Sequence, residues 1–274
     1  MLASVQRYTR EYQQHVLNFI RTQRRVQQHL DWRPLRDWLR DDDSFIFMSL
    51  SPEGLRGLVA FSRPVDGTAW LRLIGIHNQA STDIFQDLIR AARFDLEKIG
   101  VQRLLVLDMQ PWLAPILALN SFERIHHLVH LRRAAGRINQ KPAIKIVRAN
   151  YRQIPLVVPI DHAAFNGAWR MDATDFSSAM SYASHFTMAL QDQQPVGYQL
   201  STSYSDGIHL ARLAVMPEMM GQGIGSELVI ELINKFPRQS ITVNTQSTNT
   251  TARRLYERLG FEKEDIITPI WMLL

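Results

Sequence analysis

The segment MMGQGIGSEL, from Met219 to Leu228, places three glycines within five residues at the start of an apolar helical pattern. The chain of 274 residues contains only 13 glycines, so composition does not account for this cluster. Glycine is favoured where the backbone adopts a positive φ or approaches another group closely. A strand, a glycine turn and a helix N-terminus together present free N–H groups to an anion, typically a phosphate. The segment therefore predicts a phosphate-binding turn.

Two common phosphate-binding loops do not fit this segment. A P-loop needs a lysine followed by serine or threonine after its last glycine, but Ser226 and Glu227 follow Gly225. A dinucleotide-binding loop has the spacing GxGxxG directly after the first strand of a βαβ unit, whereas here the spacing is GxGxG after a series of predicted hairpins. The sequence thus argues against nucleoside triphosphate hydrolysis and against a dinucleotide cofactor.

Composition limits the class of protein. A length of 274 residues with 46% hydrophobic residues suits two folded domains. The absence of cysteine excludes disulfides and thiolate metal sites, and the N-terminal segment lacks the apolar stretch of a signal peptide. No apolar run approaches the length of a membrane span. We therefore expect a cytoplasmic protein with no membrane partner, and the net charge of +5 is too scattered along the chain to indicate nucleic acid.

The chain also contains an internal repeat. Three segments recur in the same order at nearly the same offset, which is 140 positions for the first and 139 for the other two. The matched pairs are Met48 with Met188, Leu50 with Leu190, Gly57 with Gly197, Ile74 with Leu213, Ile76 with Val215, and Phe122 with Phe261. The seam lies near Gln140–Ala143, so we predict one domain over residues 1–141 and a second over residues 142–274.

Each copy has the same predicted order of elements, which is clearest in the second copy. A first strand and two helices precede three strands joined by short turns. A helix, a strand, a second helix and a closing strand follow. The predicted strands are 144–148, 185–191, 195–204, 208–215, 240–244 and 267–273, and the predicted helices are 151–165, 174–183, 223–236 and 248–259. The predicted fold class is therefore a mixed α/β sheet of the α+β type.

Two motifs carry a resemblance to a known family. The stretch LAVMPEMMGQGIGSEL, followed later by NTTARRLYERLGF, resembles the GCN5-related N-acetyltransferase (GNAT) superfamily. One position departs from the family pattern, because Met220 stands where arginine or glutamine is usual. The matching positions are Leu213, Val215 and Pro217 at the strand end, Gly223 and Gly225 in the loop with Gly221 as an extra glycine, and Asn249, Ala252, Leu255, Tyr256, Gly260 and Phe261 in the second motif.

The resemblance implies two tandem GNAT-like domains and a direct transfer of an acetyl group to a primary amine of a small molecule or peptide. Acetyl-CoA would be the co-substrate, and no metal would take part. Backbone N–H groups of the turn would hold the pyrophosphate, and main-chain groups at the strand end would pair with the pantetheine arm. The implied CoA-binding residues are Leu213, Ala214, Val215, Met220, Gly221, Gln222, Gly223, Ile224, Gly225, Ser226 and Asn249.

The resemblance also implies the catalytic groups. Tyr256 would protonate the departing thiolate as general acid, although its helical spacing also fits a core tyrosine. His209, on the strand before the turn, is the candidate general base or else a half-buried strand histidine, and Glu218 is the second candidate. Asn249 would bind the CoA arm, cap the following helix, or do both.

The first copy lacks the implied site. At the repeat offset, Leu117 and Gln110 occupy the positions of the acid and of the CoA-binding asparagine, and the segment HNQASTDIFQDLIRAARF, which matches the turn, contains no glycine. We therefore predict a degenerate GNAT-like domain with a structural or acceptor-site role. The cluster IHHLVHLRR lies on a predicted strand, where His126 and His130 are ~13 Å apart, so no metal site is predicted.

The sequence constrains the acceptor less than it constrains CoA. The candidates for an apolar slot and for the attraction of a cationic amine are Phe165, Trp169 and Met171 and the acids Asp161, Asp172 and Asp175. Packing at the domain seam and helix capping are the alternatives for these residues. Two other functions stay open, namely a non-catalytic acyl-CoA-binding module and an aminoacyl-tRNA-dependent transferase on the same fold. The identity of the amine and the formation of a homodimer are also left open.

Overall fold

The computed structural model consists of two compact units over the described residues 4–30, 32, 34–40 and 45–274. Unit 1 comprises the described residues up to His126 together with Thr268–Leu274, and unit 2 comprises His127–Ile267. The predicted seam at Gln140–Ala143 therefore lies inside unit 2. Unit 1 therefore includes a segment of the second sequence copy, and unit 2 includes a segment of the first. The roles predicted for the two copies stay predictions.

The described residues of the two sequence copies form strands and helices in a similar order. The first copy contributes β1 (Ser4–Arg7), α1 (Gln13–Thr22), β2 (Arg25–Gln28), α2 (Leu35–Trp38), β3 (Phe45–Ser51), β4 (Gly54–Phe61), β5 (Thr68–Ile76), α3 (Asp83–Glu97), β6 (Arg103–Leu107), α4 (Leu113–Leu119) and β7 (Glu123–Arg133). The second copy contributes β8 (Lys145–Arg148), α5 (Ile154–Ala164), α6 (Ala173–Tyr182), β9 (Ala183–Gln191), β10 (Gln194–Tyr204), β11 (Gly207–Val215), α7 (Ile224–Lys235), β12 (Ile241–Gln246), α8 (Thr250–Arg258) and β13 (Glu262–Leu273).

Unit 1 is a mixed sheet with helices on both faces. Its strands pair in the order β1-β3-β4-β5-β6, and the end of β13 closes the sheet beside β6. All of these neighbours are antiparallel except β5 and β6, which are parallel. One face is covered by α3 and α4, whose Phe85, Leu88 and Leu117 are fully buried. The other face is covered by α1 and α2 through Val16 and Trp38.

Unit 2 repeats this arrangement and confirms the predicted mixed α/β fold. Its strands pair in the order β8-β9-β10-β11-β12, and residues 128–133 of β7 close the sheet. The parallel pair is β11 and β12. Helices α7 and α8 cover one face around Leu232, and α6 packs on the other, where Phe176 stacks on Phe186. The predicted elements lie within a few residues of the observed ones, except that β13 starts well before its predicted beginning.

The strand β7 supplies unit 2 with core side chains as well as hydrogen bonds. Val129 and Leu131 are buried in one cluster with Ile241 and Val243 of β12. The second sequence copy alone, residues 142–274, lacks this strand. We therefore expect that isolated copy to be poorly soluble or inactive.

We expect Leu131→Ala to lower the free energy of unfolding by about 2–5 kcal/mol, because truncating a core leucine leaves a cavity. Leu119→Ala is the matched control, since Leu119 is 77% exposed and its truncation should change the free energy by less than about 0.5 kcal/mol. Urea unfolding of the full chain, followed by circular dichroism, measures both values. Equal effects of the two substitutions would contradict the core role of β7.

Candidate active site

The central feature of unit 2 is a gap between its two parallel strands. β11 and β12 are paired only over Ile208–Leu210 and Ile241–Val243. Beyond this point β11 continues beside β10, and β12 continues beside β7. A bulge at Ala211, which has no partner on β10, lies where the pairing ends. Because a bulge bends its strand and increases the local twist, Ala211 accounts for the separation of the two strands.

β11 turns main-chain groups toward this gap. The Met216 N–H donates to the Val196 carbonyl at 2.9 Å, so these two residues form a hydrogen-bonded pair. Along an antiparallel ladder, hydrogen-bonded pairs alternate with pairs whose N–H and C=O groups point away from the partner strand. The N–H and C=O groups of Ala214 therefore face β10, whereas those of Leu213 and Val215 face the gap. Within the described chain, no strand pairs with this part of the β11 edge. It is an open edge with which an extended ligand can pair.

The glycine turn lies directly after β11. Gly221 and Gly223 have φ values of 82° and 85°, and an added Cβ would meet no atom within 4 Å at either position. The backbone conformation, rather than a lack of space, therefore favours glycine there. Gly225 differs, because an added Cβ would lie 3.0 Å from a side-chain carbon of Leu255. Gly225 thus allows α7 and α8 to pack closely.

The N-terminus of α7 has no side-chain cap. Gly223 is the N-cap residue, and the first helical bond runs from the Glu227 N–H to the Gly223 carbonyl at 3.0 Å. The N–H groups of Ile224, Gly225 and Ser226 therefore have no intrahelical acceptor. Together with the helix dipole, they form an anion site at the end of the open strand edge.

The remaining residues predicted to bind CoA lie around this anion site. Met220 and Gln222 are exposed, and the Gln222 amide contacts Met219 Sδ at 3.5 Å. Asn249 is the N-cap of α8, where its Oδ1 accepts a hydrogen bond from the Ala252 N–H at 3.0 Å. Asn249 therefore does cap its helix. Its Nδ2 has no partner among the described residues, so this donor stays available to a ligand.

Tyr256 lies on the buried side of α8. It is 4% exposed, and the centre of its ring lies 5.5 Å from that of Phe261. Its hydroxyl makes no hydrogen bond to the part of the chain that the structure describes. Burial raises the pKa of Tyr256 above its ordinary value of 10, so the phenol is protonated at neutral pH. Tyr256 therefore has the protonation state that a general acid needs. Its ring is also packed as the alternative interpretation, a core tyrosine, predicts.

His209 lies on β11 before the bulge, with its Nδ1 3.0 Å from Thr242 Oγ1. Burial, together with the neighbouring His130, lowers the pKa of His209 to about 4. The imidazole is therefore neutral at pH 7, but such a weak base has little driving force to take a proton from an ammonium group. Its role as general base stays a prediction, which this low pKa disfavours. Glu218, the second candidate, is exposed in a 3-10 turn after β11.

A buried ionic network, not predicted from the sequence, lies on the face of β11 opposite α7. Asp161 of α5 is fully buried and accepts hydrogen bonds from Arg212 Nε at 2.6 Å and from the Tyr198 hydroxyl. Arg212 also donates to the Trp169 carbonyl, and its guanidinium lies 3.8 Å from the centre of the Phe165 ring. A lone carboxylate within the apolar run PLVVPIDHAA is the sequence signal that points to such a network.

These contacts correct the predictions for the acidic acceptor residues. The charge of Asp161 is neutralised inside the protein, and its second oxygen accepts the Met171 N–H at 2.8 Å. Asp172 and Asp175 form a capping box at the start of α6, in which each side chain accepts the backbone N–H of the other. Helix capping, the alternative interpretation, therefore holds for Asp172 and Asp175, and Asp161 is not available to an amine.

The described residues present neither a metal-binding cluster nor a membrane-spanning helix. Among the residues that the structure describes, no group of three or more His, Cys, Asp or Glu side chains is arranged to hold a metal ion. His130 lies on the strand β7, as its place in the repeat predicted. None of the helices in the described ranges combines the length and the apolar character needed to cross a membrane.

We expect Asp161→Asn to lower the free energy of unfolding by about 3–5 kcal/mol, because it leaves the charge of Arg212 without its partner in a buried position. Asp172→Asn is the matched control, since asparagine caps a helix about as well as aspartate and the expected loss is below about 1 kcal/mol. Urea unfolding compares the two variants. A small and equal loss in both would show that the ion pair is not a structural requirement.

Comparisons with known proteins agree with this geometry. The model of the acetyltransferase (GNAT) family matches residues 156–261. Over 106 residues, the sequence is 31% identical to the peptidyl-lysine N-acetyltransferase YjaB of Salmonella typhimurium. That match covers 38% of this chain and 69% of the relative.

Solved structures share the fold over almost the whole chain. A tandem GNAT protein from the clavulanic acid biosynthesis pathway has a TM-score of 0.66 and 14% identity, with 99% of this chain and 98% of that chain covered. A probable N-acyltransferase from Enterococcus faecalis V583 has a TM-score of 0.74 and 9% identity, with 99% and 72% covered. These low identities establish the fold alone, whereas the match to a curated enzyme establishes the family. The chain therefore belongs to the GNAT family and is an N-acetyltransferase.

Proposed function

We propose that unit 2 transfers an acetyl group from acetyl-CoA to a primary amine, with CoA bound along the gap between β11 and β12. The observation that carries this proposal is the continuity of one segment, Leu213–Ser226. It places an open strand edge directly before a helix N-terminus that has no side-chain cap. A pantetheine arm requires the first of these features, and a pyrophosphate requires the second.

In this proposal the pyrophosphate binds at the turn Gly221–Ser226, where its oxygens accept backbone N–H groups. The arm pairs with Leu213 and Val215, whose main-chain groups face the gap. Ala214 was predicted with them, but its groups face β10, so we expect no bond from it to the arm. Asn249 donates from its Nδ2 at the start of α8. The exposed thioether of Met220 adds no strong polar contact.

The proposed chemistry is a direct transfer. The amine nitrogen attacks the carbonyl carbon of the thioester, the carbon–sulfur bond breaks, and the amide forms. A main-chain N–H that faces the gap polarises the carbonyl oxygen. The sulfur leaves as a thiolate whose conjugate thiol has a pKa of about 8.5, and Tyr256 supplies its proton. The proton that the amine loses goes to a base or to water, and His209 is the predicted base.

The acceptor amine approaches from the sheet face opposite α7 and α8. His209, Thr242 and Asn244 share this face because they alternate with the residues that pack under those helices. Asn244 is exposed there, one position beyond Val243, the last residue of β12 that pairs with β11. The relative is named a peptidyl-lysine N-acetyltransferase, which favours a lysine side chain of a peptide as the acceptor. A small-molecule amine is the second candidate.

The relationship to an N-acetyltransferase favours acetyl transfer from acetyl-CoA over the two alternatives, a non-catalytic acyl-CoA-binding module and an aminoacyl-tRNA-dependent transferase. The scattered basic residues give the tRNA alternative no support. A reaction without a metal and a cytoplasmic location stay predictions, and the formation of a homodimer stays open.

We expect Gly223→Asp to abolish measurable acetyl-CoA binding while the protein stays folded. The new carboxylate would lie close to the pyrophosphate. Two like charges about 4 Å apart repel by about 1 kcal/mol in bulk water and by about 4 kcal/mol near a protein surface. Gly223→Asn is the matched control, because asparagine has the same shape and also tolerates a positive φ. Isothermal titration measures affinity, and circular dichroism checks folding. Equal affinities of the two variants would show that no phosphate binds at this turn.

We expect Tyr256→Phe to lower turnover by about tenfold or more, which corresponds to about 1.4 kcal/mol of barrier. Acetyl-CoA affinity should change little, because the ring and its packing on Phe261 are kept. Tyr182→Phe is the matched control, since Tyr182 is 48% exposed. Steady-state kinetics with a lysine peptide give both parameters. Unchanged turnover would leave Tyr256 as a core tyrosine without a catalytic role.

A further inference from the structure

Unit 1 contains the same kind of gap as unit 2, but a strand occupies it. β5 and β6 are paired in parallel only over Thr68–Trp70 and Arg103–Leu105. The pairing of β5 with β4 shifts register at Arg72, the position that matches Ala211 in the repeat. Beyond this position, β2 pairs with β5 in the antiparallel sense over residues Arg25–Gln28.

β2 forms hydrogen bonds with the main-chain groups of β5 that correspond to the open edge of β11. The His77 N–H donates to the Arg56 carbonyl at 2.8 Å, so the groups of Ile74 and Ile76 point away from β4. In the register of β2, Ile74 lies opposite Gln27 and Ile76 lies opposite Arg25. The repeat matches Ile74 and Ile76 with Leu213 and Val215. The edge that is open in unit 2 is therefore hydrogen-bonded to the chain itself in unit 1.

The side chain of Gln27 joins both separated strands. Gln27 is 3% exposed, and its backbone is paired with Ile74 of β5. Its Nε2 donates to the Leu107 carbonyl at 2.7 Å, and its Oε1 accepts the Met109 N–H at 2.9 Å. Leu107 is the last residue of β6, and Met109 follows it by two positions. β2 thus lies between β5 and β6 and fills the gap from one side to the other.

The turn after β5 has the opposite polarity to the glycine turn of unit 2. Carbonyl oxygens of this turn point to the guanidinium of Arg25. Its Nη2 donates to the carbonyl of Asn78 at 3.1 Å and to that of Ala80 at 2.7 Å. The first turn of α3 also carries the carboxylate of Asp83, which accepts the Ser81 hydroxyl at 2.9 Å. A phosphate needs free N–H donors at such a turn, whereas this turn presents carbonyl oxygens that are already bonded to Arg25 and a carboxylate at the start of α3, so it does not offer the phosphate site found in unit 2.

The corresponding segment of unit 2 follows a different path. After α5 the chain forms a short 3-10 helix, Gly167–Trp169, rather than a strand. The Trp169 carbonyl accepts a hydrogen bond from Arg212, on the face of β11 that carries the ionic network. The edge of β11 consequently stays uncovered. The two units therefore differ in the segment that follows their first long helix, which is a strand paired with β5 in unit 1 and a 3-10 helix in unit 2.

We infer that β2 occupies in unit 1 the place that the arm of acyl-CoA occupies in unit 2. Residues Arg25–Gln28 are an internal substitute for the ligand, with a guanidinium where the pyrophosphate would bind. The chain accordingly binds one acyl-CoA, in unit 2. This inference rests on the proposed function for the position of CoA in unit 2.

Amide hydrogen exchange of the full chain, followed by NMR with and without acetyl-CoA, tests this inference. We expect the amides of Ile74 and Ile76 to be protected in both states. Those of Leu213 and Val215 should exchange rapidly in the free chain and about tenfold or more slowly with acetyl-CoA. Rapid exchange at Ile74 and Ile76 in the free chain, or protection there that appears only with acetyl-CoA, would overturn the inference.

The same experiment separates the inference from the proposed function. Unchanged exchange at Leu213 and Val215 would overturn the proposed function. If Ile74 and Ile76 were protected in that case, the occupation of the unit 1 gap by β2 would still be supported.

Two variants extend the test. Gln27→Leu removes the bonds to β6, and we expect exchange at Ile74 to accelerate about tenfold or more. Gln28→Leu, an exposed neighbour on the same strand, is the matched control and should leave that exchange unchanged. Isothermal titration should give one acetyl-CoA per chain for the wild type and none for Gly223→Asp. A stoichiometry of two acetyl-CoA per wild-type chain would place a second molecule in unit 1 and overturn the inference.

Discussion

The end of hydrogen bonding between β11 and β12 is the constraint on which the rest of unit 2 depends. Backbone N–H and C=O groups that leave a ladder must find other partners or water. The bulge at Ala211 creates this requirement at Leu213 and Val215, and the N-terminus of α7 creates it again after the glycine turn. A ligand with an extended polar arm and a phosphate group satisfies both requirements at once. In unit 1 the same requirement is satisfied by β2.

The ionic network beside the bulge fixes the strand that carries this edge. Arg212 follows the unpaired Ala211 directly, and Asp161 holds its guanidinium at 2.6 Å. A buried charge without its partner is strongly unfavourable, so the two residues are expected to depend on each other. The network lies on the face of β11 opposite α7. Because Asp161 is fully buried and paired with Arg212, it serves the scaffold and not the attraction of substrate.

Features that follow local patterns were predictable from the sequence, and features that depend on distant partners were not. The glycine turn and α7 follow from the spacing of the glycines and from a helical apolar stripe. The strand β2 does not, because RRVQQH is short, polar and without alternation, and it becomes a strand only beside an available edge. Asp161 and Arg212 lie 51 positions apart, and a single sequence does not show such a pairing. The motif indicated Tyr256 and Asn249, but only the structure shows that Asn249 caps α8.

The division of strands between the units has a consequence for the order in which they can form during translation. Ile270–Leu273 of β13 pair with Leu104–Leu107 of β6 in unit 1, whereas unit 2 has all of its residues once Ile267 has been made. The unit whose sequence is made first is therefore the last to complete its sheet. Until Ile270–Leu273 have left the ribosome, this edge of β6 is unpaired, and such edges can pair with other nascent chains.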